Sequence, residues 1–223
     1  MATLRIMSAN LLVDEADPSS LRSVIDEFDP DVIALQELGF ASASVIADSH
    51  PEGHLDPRDD FMGLGIAAKR PISVERLELP GRSGWGARLD PEHWPDLGQP
   101  MEVVDIHLLN PVEWPWKTTQ TTRRAQIAAT RKRVEASGLP SIIVGDMNST
   151  PLWPEYKLLA EFGTDAAHAT GTAKRTWFQP TWGPRVFRID HAFVRNITPV
   201  KTAVVKVQGS DHLALITDIE VPT

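Results

Sequence analysis

The sequence places acidic, amide and histidine side chains at the ends of apolar segments, where an unpaired charge is costly. Glu37 ends DVIALQE, His107 lies near the end of MEVVDIHL, and Asp146 ends SIIVGD. With these three, the residues in such positions are Asn10, Glu37, His107, Asp146, Asp190, Asp211 and His212. If the segments converge, carboxylates ~4 Å apart repel by about 4 kcal/mol at an effective dielectric of ~20. The cluster then requires a cation, or histidine and arginine partners, to offset it.

The oxygen donors predict a hard divalent cation. Glu37, Asp146 and Asp211 offer carboxylates, and Asn10 and Asn148 offer amide oxygens. Such ligands suit Mg²⁺ or Mn²⁺ better than zinc. In VGDMNSTP, Asp146 and Asn148 stand two residues apart, so on an extended backbone both point to the same side and can reach one atom.

A histidine beside an acid provides a way to hold a proton. We expect the carboxylate of Asp190 to fix the tautomer of His212 and to favour its imidazolium form. His191 follows Asp190 directly and points the other way in an extended strand, so we interpret it as structural. A proton-handling pair next to a divalent cation suits the hydrolysis of a phosphate ester.

The elements that must position these residues can be predicted from apolar patterning. Nine segments are rich in β-branched residues and have turn-rich flanks, which predicts strands at residues 4–9, 31–36, 62–68, 72–79, 101–108, 141–145, 186–194, 200–207 and 213–221. Helical spacing, caps and stop signals predict helices at PSSLRSVIDEF and at about 118–137 and 154–162. The strands alternate with helices early and dominate the last third, so we expect sheets with helices on their outer faces.

Composition limits the class of protein. A chain of 223 residues with 42% hydrophobic content predicts one domain over 1–223. The net charge of −8 weighs against a pure DNA-binding protein. The absence of cysteine excludes disulfides, thiolate nucleophiles and Cys-ligated zinc. No apolar run approaches the ~20 residues of a membrane span, so we expect a cytoplasmic protein, or a secreted one if a leader was removed.

Six motifs in order carry a resemblance to a known family. SANLL, ALQEL, DIHL, VGDMNSTP, RIDHAFV and GSDH, which together reach from Asn10 to His212, resemble the endonuclease/exonuclease/phosphatase superfamily. These are metal-dependent phosphoesterases that include DNase I-like nucleases, and the chain looks like one of the small bacterial members. The resemblance implies an α/β fold, a four-layer α/β sandwich of two mainly antiparallel β-sheets packed face to face with helices on the outer faces.

The resemblance also implies a metal site. Glu37 would be the principal ligand, with Asn10 beside it and Asp211 available on the far side. Some members carry an acid two residues after the first asparagine, where this chain has Leu12. A second metal site built on that position is therefore not expected.

The remaining motif residues would act on the phosphate, again as the resemblance implies. Asp146 would orient or deprotonate the attacking water, and Asn148 would hold a phosphate oxygen. His212, oriented by Asp190, would contact the scissile phosphate and stabilise its developing charge. His107 would bind another phosphate oxygen.

Each motif residue also has an ordinary structural explanation. Asn10 could form a turn, and Glu37 could cap a helix that begins in ELGFASAS. His107 could be a satisfied sheet histidine, and Asp146 with Asn148 could form an Asx turn. Taken singly these explanations outweigh a functional one, but jointly they require six coincidences in order.

The same holds for the last two motifs. Asp190 could pair with Arg188 or Arg195 instead of a histidine. Asp211 and His212 could form an ordinary turn that enters a strand. Neither alternative explains why these residues follow the four earlier motifs in the order of one family.

Two further segments could contact a substrate. RTWFQPTWGPR combines Trp177 and Trp182 with Arg185, and Trp177 could stack on a base or a headgroup. A loop pinned to the core by tryptophan is the alternative. In TTRRAQIAATRKR, Arg124 near the helix start is the residue that we expect to contact a phosphate, although a solvated basic face would explain it as well.

The sequence therefore predicts a Mg²⁺- or Mn²⁺-dependent phosphoesterase. The leading form is a monomeric phosphodiesterase or nuclease that uses in-line water attack on a phosphate ester, with DNA and RNA among the candidates. The alternative is a phosphatase or phospholipase C-like phosphodiesterase acting on a lipid headgroup, inositol phosphate or small metabolite. A catalytically dead binding protein on the same fold is disfavoured because every motif acid is intact.

Overall fold

The computed structural model describes residues 2–112, 114–178 and 187–222. Its strands are β1 (Ala2–Val13), β2 (Val32–Leu38), β3 (Glu52–Asp56), β4 (Leu64–Ala68), β5 (Ser73–Leu79), β6 (Arg82–Leu89), β7 (Met101–Ile106), β8 (Ser141–Asp146), β9 (Thr164–Asp165), β10 (Asp190–Arg195), β11 (Thr198–Lys206) and β12 (Leu213–Val221). Its helices are α1 (Pro18–Phe28), α2 (Phe40–Ser49), α3 (Trp116–Ser137), α4 (Pro154–Ala160) and α5 (Ala166–Ala169).

The strands form two six-stranded mixed sheets with one shared plan. Sheet 1 has the order β11-β12-β1-β2-β4-β3, and sheet 2 has the order β5-β6-β7-β8-β10-β9. In each sheet the third and fourth strands are parallel, and all other neighbours are antiparallel. Parallel neighbours need a crossover, which α1 supplies between β1 and β2 and α3 supplies between β7 and β8.

Alternate residues of the central strands pack in different layers. Ile6 of β1 and Val103 of β7 belong to the core between the two sheets. The next residues, Met7 and Val104, pack with the helices that cover sheet 1 and sheet 2 respectively. Because successive side chains of a strand point to opposite faces, each sheet buries one face against the other sheet and one against helices. The predicted four-layer sandwich is confirmed.

All nine predicted strands and three predicted helices have counterparts in the fold. Strands β3, β6 and β9 and helices α2 and α5 were not predicted. The sequences of β3 and β6, EGHLD and RSGWGARL, contain glycines and charged residues that weaken a strand signal. The strand predicted from 186 begins at Asp190, and Val186 lies outside the described residues. Within 2–112, 114–178 and 187–222, no helix has the length and apolar character to cross a membrane.

Candidate active site

Four strands bring the centre of the site together. β1 and β2 run parallel in sheet 1, and β7 and β8 run parallel in sheet 2, so the carboxyl ends of each pair lie at one edge. The Asn10 side-chain Nδ2 donates to Glu37 Oε1 at 3.0 Å and to Asp146 Oδ2 at 3.2 Å. His107 Nε2 lies 3.6 Å from Asp146 Oδ2 and 3.8 Å from Glu37 Oε1. The two sheets therefore meet at these buried groups.

Unusual backbone angles place the two acids. Ile33 and Leu35 face the helices of sheet 1, and strict alternation would send Glu37 the same way. Glu37 instead has a left-handed φ of 49°, and its carboxylate reaches Asn10. On β8, Gly145 has φ of 134°, and a Cβ there would stand 2.0 Å from the Ile106 carbonyl oxygen. The close approach of β7 and β8 just before Asp146 therefore requires glycine.

A buried histidine and acid form the predicted pair. His212 Nδ1 lies 2.9 Å from Asp190 Oδ2, and Asp190 stands opposite Asp146 in the register of β10 and β8. His212 Nε2 faces Asp146 Oδ2 at 3.8 Å and Asp211 Oδ1 at 3.9 Å. Burial alone would lower the pKa of His212, but the surrounding carboxylates, Asp190 first, raise this pKa to about 10. The imidazolium form is therefore favoured at neutral pH.

Burial shifts the pKa values of Asp146 and His107 in opposite directions. Burial raises the pKa of Asp146 to about 7, and the His212 charge opposes this rise. Burial holds the pKa of His107 well below its usual range. The site thus combines a charged histidine, a neutral histidine and a carboxyl group whose pKa lies near the physiological range.

The donor set fits a hard divalent cation. Within the described part of the chain, the buried atoms Glu37 Oε2 and Asp211 Oδ1 have no hydrogen-bond partner. Burial, ahead of the opposing effect of Asn10, raises the pKa of Glu37. Glu37, His107 and Asp146 each offer a ligand atom, and these atoms lie within 4.8 Å of one another. Unpartnered buried carboxylate oxygens are what a cation would satisfy.

These groups open into one cavity of about 590 Å³. Its polar lining residues include Glu37, Arg82, His107, Asn148 and His212. Asn148 has a left-handed φ of 47°, and its Nδ2 donates to the Leu108 carbonyl at 3.0 Å and lies 3.3 Å from Asp146 Oδ2. The arrangement presents an acid, amide and imidazole donors and a guanidinium to one small volume.

The family profile "Endonuclease/Exonuclease/phosphatase family" matches residues 7–212 of this sequence. The chain belongs to this family. Membership indicates a phosphoesterase or nuclease, and the matched range contains the residues that converge at the cavity. No curated protein sequence matches the chain.

Solved structures of this family share the fold at low sequence identity. Danio rerio TDP2, crystallised with a single-strand DNA product, has a TM-score of 0.78 and 18% identity and covers 99% of this chain and 100% of its own. An endonuclease/exonuclease/phosphatase from Beutenbergia cavernae has a TM-score of 0.74 and 20% identity over 99% of this chain and 72% of its own. The human nocturnin catalytic domain, with bound sulfate, has a TM-score of 0.75 and 16% identity over 99% of this chain and 95% of its own. Likeness at this identity shows the fold alone.

Trp177, which we predicted to contact the substrate, lines the cavity. Its indole Nε1 also donates to Asp211 Oδ2 at 2.9 Å, so it holds a predicted metal ligand. Its ring stacks on Phe187 with centroids 6.1 Å apart and planes 7° apart. Trp182 and Arg185, from the same predicted segment, lie outside the described residues.

Arg124 lies away from the cavity, contrary to the contact that we expected. Its exposed side chain is 3.5 Å from Glu155 Oε1 and lines a separate groove on α3. The preceding residue, Arg123, is fully buried. Its guanidinium donates to the carbonyl oxygens of Leu109 and Asn148, the latter at 2.9 Å. Arg123 therefore fixes the two loops that follow β7 and β8.

Several residues that shape the site had weak sequence signals. Arg82 belongs to none of the six motifs, follows a turn, and begins β6, a strand that was not predicted. Arg123 and Gln126 have helical i, i+3 spacing, which a search for buried polar pairs on α3 could have found. Gln126 accepts a hydrogen bond from Leu109 N at 3.1 Å and donates to the Pro80 carbonyl at 2.8 Å.

Beneath the cavity a polar contact joins the sheets. Gln36 Nε2 donates to Asp105 Oδ1 at 2.6 Å, and both side chains are fully buried in the inter-sheet core. Burial raises the pKa of Asp105 well above its usual range, with Gln36 and the Leu35 amide opposing the rise. Because Gln36 precedes Glu37, this contact fixes the strand end that carries a predicted metal ligand.

The structural alternatives have mixed outcomes. Gly39, not Glu37, occupies the N-cap position of α2. Arg188 pairs with Asp165 at 2.7 Å, which leaves Asp190 to His212. An Asx-type turn does form, since Asn148 N donates to Asp146 Oδ1 at 2.8 Å.

His191 lies on the opposite face of β10 from Asp190, as expected. Its Nε2 contacts the Ser149 carbonyl oxygen at 2.7 Å. Ser149 follows Asn148 directly, so the contact supports the loop after β8 from the face of sheet 2 that is turned away from the cavity.

Proposed function

We propose that the chain is a divalent-metal-dependent phosphodiesterase that uses Mg²⁺ or Mn²⁺. The observation that carries the proposal is the convergence of Glu37, Asn10 and Asp146 with the His212–Asp190 pair in one cavity. All of these groups come from one chain, which supports a monomer acting as a single domain over 1–223.

The proposed ligands are Glu37, Asn10 and Asp211. The partnerless Glu37 Oε2 and Asp211 Oδ1 atoms support this assignment, whereas Asn10 Oδ1 already accepts the Leu12 amide at 3.1 Å. When bound, the metal supplies Lewis-acid stabilisation of charge on the phosphate and the leaving oxygen.

Asp146 is proposed to accept the proton of the attacking water. The water oxygen forms a bond to phosphorus as the opposite ester P–O bond breaks, and the departing oxygen takes that electron pair. A pKa of about 7 for the Asp146 carboxyl matches a general base that works near neutral pH. The Asn10 side-chain Nδ2 donates to Asp146 Oδ2 and so holds this carboxylate in place.

Four side chains are proposed to hold the phosphate. The His212 imidazolium donates from Nε2 to a non-bridging oxygen while Asp190 holds Nδ1, and it stabilises the charge that develops. Asn148 Nδ2 and the neutral His107, through Nε2, donate to other oxygens. Arg82, a cavity-lining guanidinium, supplies a positive charge that the sequence motifs did not include.

A nuclease, which the sequence favours, and a phosphatase or phospholipase C-like enzyme are two forms that this proposal can take. The DNA product bound by Danio rerio TDP2 supports phosphodiester chemistry in this fold. The net charge of −8 weighs against tight duplex binding.

The test is hydrolysis of bis-para-nitrophenyl phosphate with Mg²⁺, Mn²⁺ or a chelator. Asp146→Asn and His212→Ala should each lower kcat by about a thousandfold. The matched controls Asp26→Asn and His93→Ala change exposed residues outside the cavity and should keep normal turnover. Near-normal turnover of either site variant in a clean, folded preparation would remove the assignment.

A further inference from the structure

We propose that the substrate carries an apolar group beside its scissile phosphate, and that one wall of the catalytic cavity binds this group. The proposal rests on the phosphoesterase function and adds a substrate class to it. The apolar wall consists of the apolar side chains that line the cavity, namely Leu12, Phe61, Val112, Trp153, Trp177, Phe187 and Ile189.

Part of the apolar wall is exposed to solvent in a way that indicates a binding surface. Phe61, Val112 and Phe187 are 58%, 71% and 37% exposed. Trp114 and Leu152, each 85% exposed, lie one or two residues from a lining residue in the chain. Three of the large apolar side chains that are exposed in the described part of the chain thus line one cavity, and exposed apolar groups of this kind mark a ligand-binding groove.

The apolar wall reaches the place where the phosphate must lie. The rings of Trp177 and Phe187 are nearly parallel, and the Trp177 indole N–H donates to Asp211. A phosphate bound by His212, the next residue in the chain, would therefore place its substituent near these rings. A planar or extended apolar group would be removed from water there.

Charge argues against a polynucleotide as the occupant. A nucleic-acid strand requires a track of cationic side chains along its backbone. Among the described lining residues, Arg82 is the one lysine or arginine. Asp59 and Asp60, both exposed, directly precede Phe61, and the exposed Arg58 precedes them. The one guanidinium among the described lining residues and a cavity of about 590 Å³ suit a compact ester with a single phosphate.

The experiment compares para-nitrophenyl phosphodiesters that share a leaving group and differ in the second substituent, which is methyl, phenyl or thymidyl. The phenyl ester should exceed the methyl ester in kcat/KM by about tenfold, and should also exceed the thymidyl ester. Phe61→Ser and Val112→Ser should lower the phenyl-to-methyl ratio by about threefold each. The matched controls Phe40→Ser and Val200→Ser, at positions 59% and 47% exposed and outside the cavity lining, should keep the ratio.

A binding measurement separates this proposal from the proposed function. Calorimetry with Mg²⁺ present should show tighter binding of phenylphosphonate than of methylphosphonate, even if no ester is hydrolysed. Absence of turnover across the series would overturn the phosphodiesterase, whereas equal affinities and equal kcat/KM values would overturn the apolar subsite.

Two further substrates identify the kind of molecule that carries the apolar group. Faster hydrolysis of short-chain phosphatidylcholine micelles than of the phenyl ester would identify a lipid as the source, and the reverse would identify a soluble ester. A single-stranded oligonucleotide cleaved in preference to both would overturn the proposal.

Discussion

The two sheets share one strand order but carry different groups at equivalent strand ends. At the carboxyl-terminal part of its third strand sheet 1 has Asn10, and directly after its third strand sheet 2 has His107. At the end of the fourth strand, sheet 1 has Glu37 and sheet 2 has Asp146. In the proposed mechanism the sheet 1 residues hold the metal, and the sheet 2 residues handle water and phosphate.

Two contacts join the halves of the site across the sheets. Asn10 of sheet 1 donates to Asp146 of sheet 2, and His212, which precedes β12 of sheet 1, pairs with Asp190 of sheet 2. The comparison teaches that one strand order, used twice, can present different chemical groups at equivalent strand ends.

The largest effect should come from variants that test metal binding and activation of the attacking water separately. Glu37→Gln should weaken Mn²⁺ binding by about a hundredfold and lower kcat by about a thousandfold. Asp146→Asn should lose turnover to a similar degree while it retains Mn²⁺ binding within about tenfold. Calorimetric Mn²⁺ titration beside a turnover assay measures both. Equal loss of Mn²⁺ affinity in the two variants would show that the sheets do not divide the roles.

A smaller effect should follow from breaking the pair that bridges the sheets. Because the Asp190 carboxylate raises the pKa of His212 to about 10, Asp190→Asn should lower that pKa. The imidazolium exists below its pKa, so the alkaline limb of the pH–rate profile should move to lower pH, with about a hundredfold loss of kcat. Asp26→Asn provides the control profile. An unmoved alkaline limb would contradict a catalytic imidazolium at His212.

The buried contact beneath the site should affect stability more than chemistry. Gln36→Met leaves the Asp105 carboxyl without its 2.6 Å partner and should cost about 2 kcal/mol in the free energy of unfolding. Denaturant unfolding compares this variant with Gln208→Met, an exposed change that should have little effect. A loss below about 0.5 kcal/mol would show that Gln36 does not join the sheets energetically.

The smallest effect should come from Trp177→Phe. This change removes the indole N–H that holds Asp211 Oδ2 but keeps an aromatic ring, so Mn²⁺ affinity should fall by about tenfold and the fold should persist. Trp116→Phe, at an exposed position outside the cavity lining, is the matched control. Unchanged Mn²⁺ affinity would assign Trp177 to substrate contact alone.

Much of the central sheet structure could be predicted because each core strand carries a continuous apolar run. The segment around Ile143 is apolar on both faces, since one face meets the other sheet and one meets α3. Strands near the sheet edges have weaker patterns: Gly84 and Gly86 interrupt β6, and β3 has polar residues. Their positions depend on pairing with neighbours, which local sequence does not record.

The site residues at strand ends could be predicted for the same reason, because a buried acid in an apolar run is unusual. Arg82 and Phe61 could not, since Arg82 is an ordinary residue at the start of β6 and Phe61 an ordinary residue in a turn. They reach the cavity only through the tertiary fold, in which Arg82 Nη1 donates to the Phe61 carbonyl at 2.9 Å. Arg124 is exposed and Arg123 buried because a one-residue step along a helix changes the face by about 100°.

Asn10 occupies a position that an aspartate, with a side chain of the same length, could not fill in the same way. Its two N–H bonds go to oxygens of Glu37 and Asp146, so a single NH₂ group sets the spacing between the proposed metal ligand of one sheet and the proposed base of the other. An aspartate in its place would bring a third negative charge and no hydrogen to donate. Any sliding of one sheet over the other must break these two hydrogen bonds. The distance between the proposed metal ligand and the proposed base therefore depends on how the two sheets are stacked.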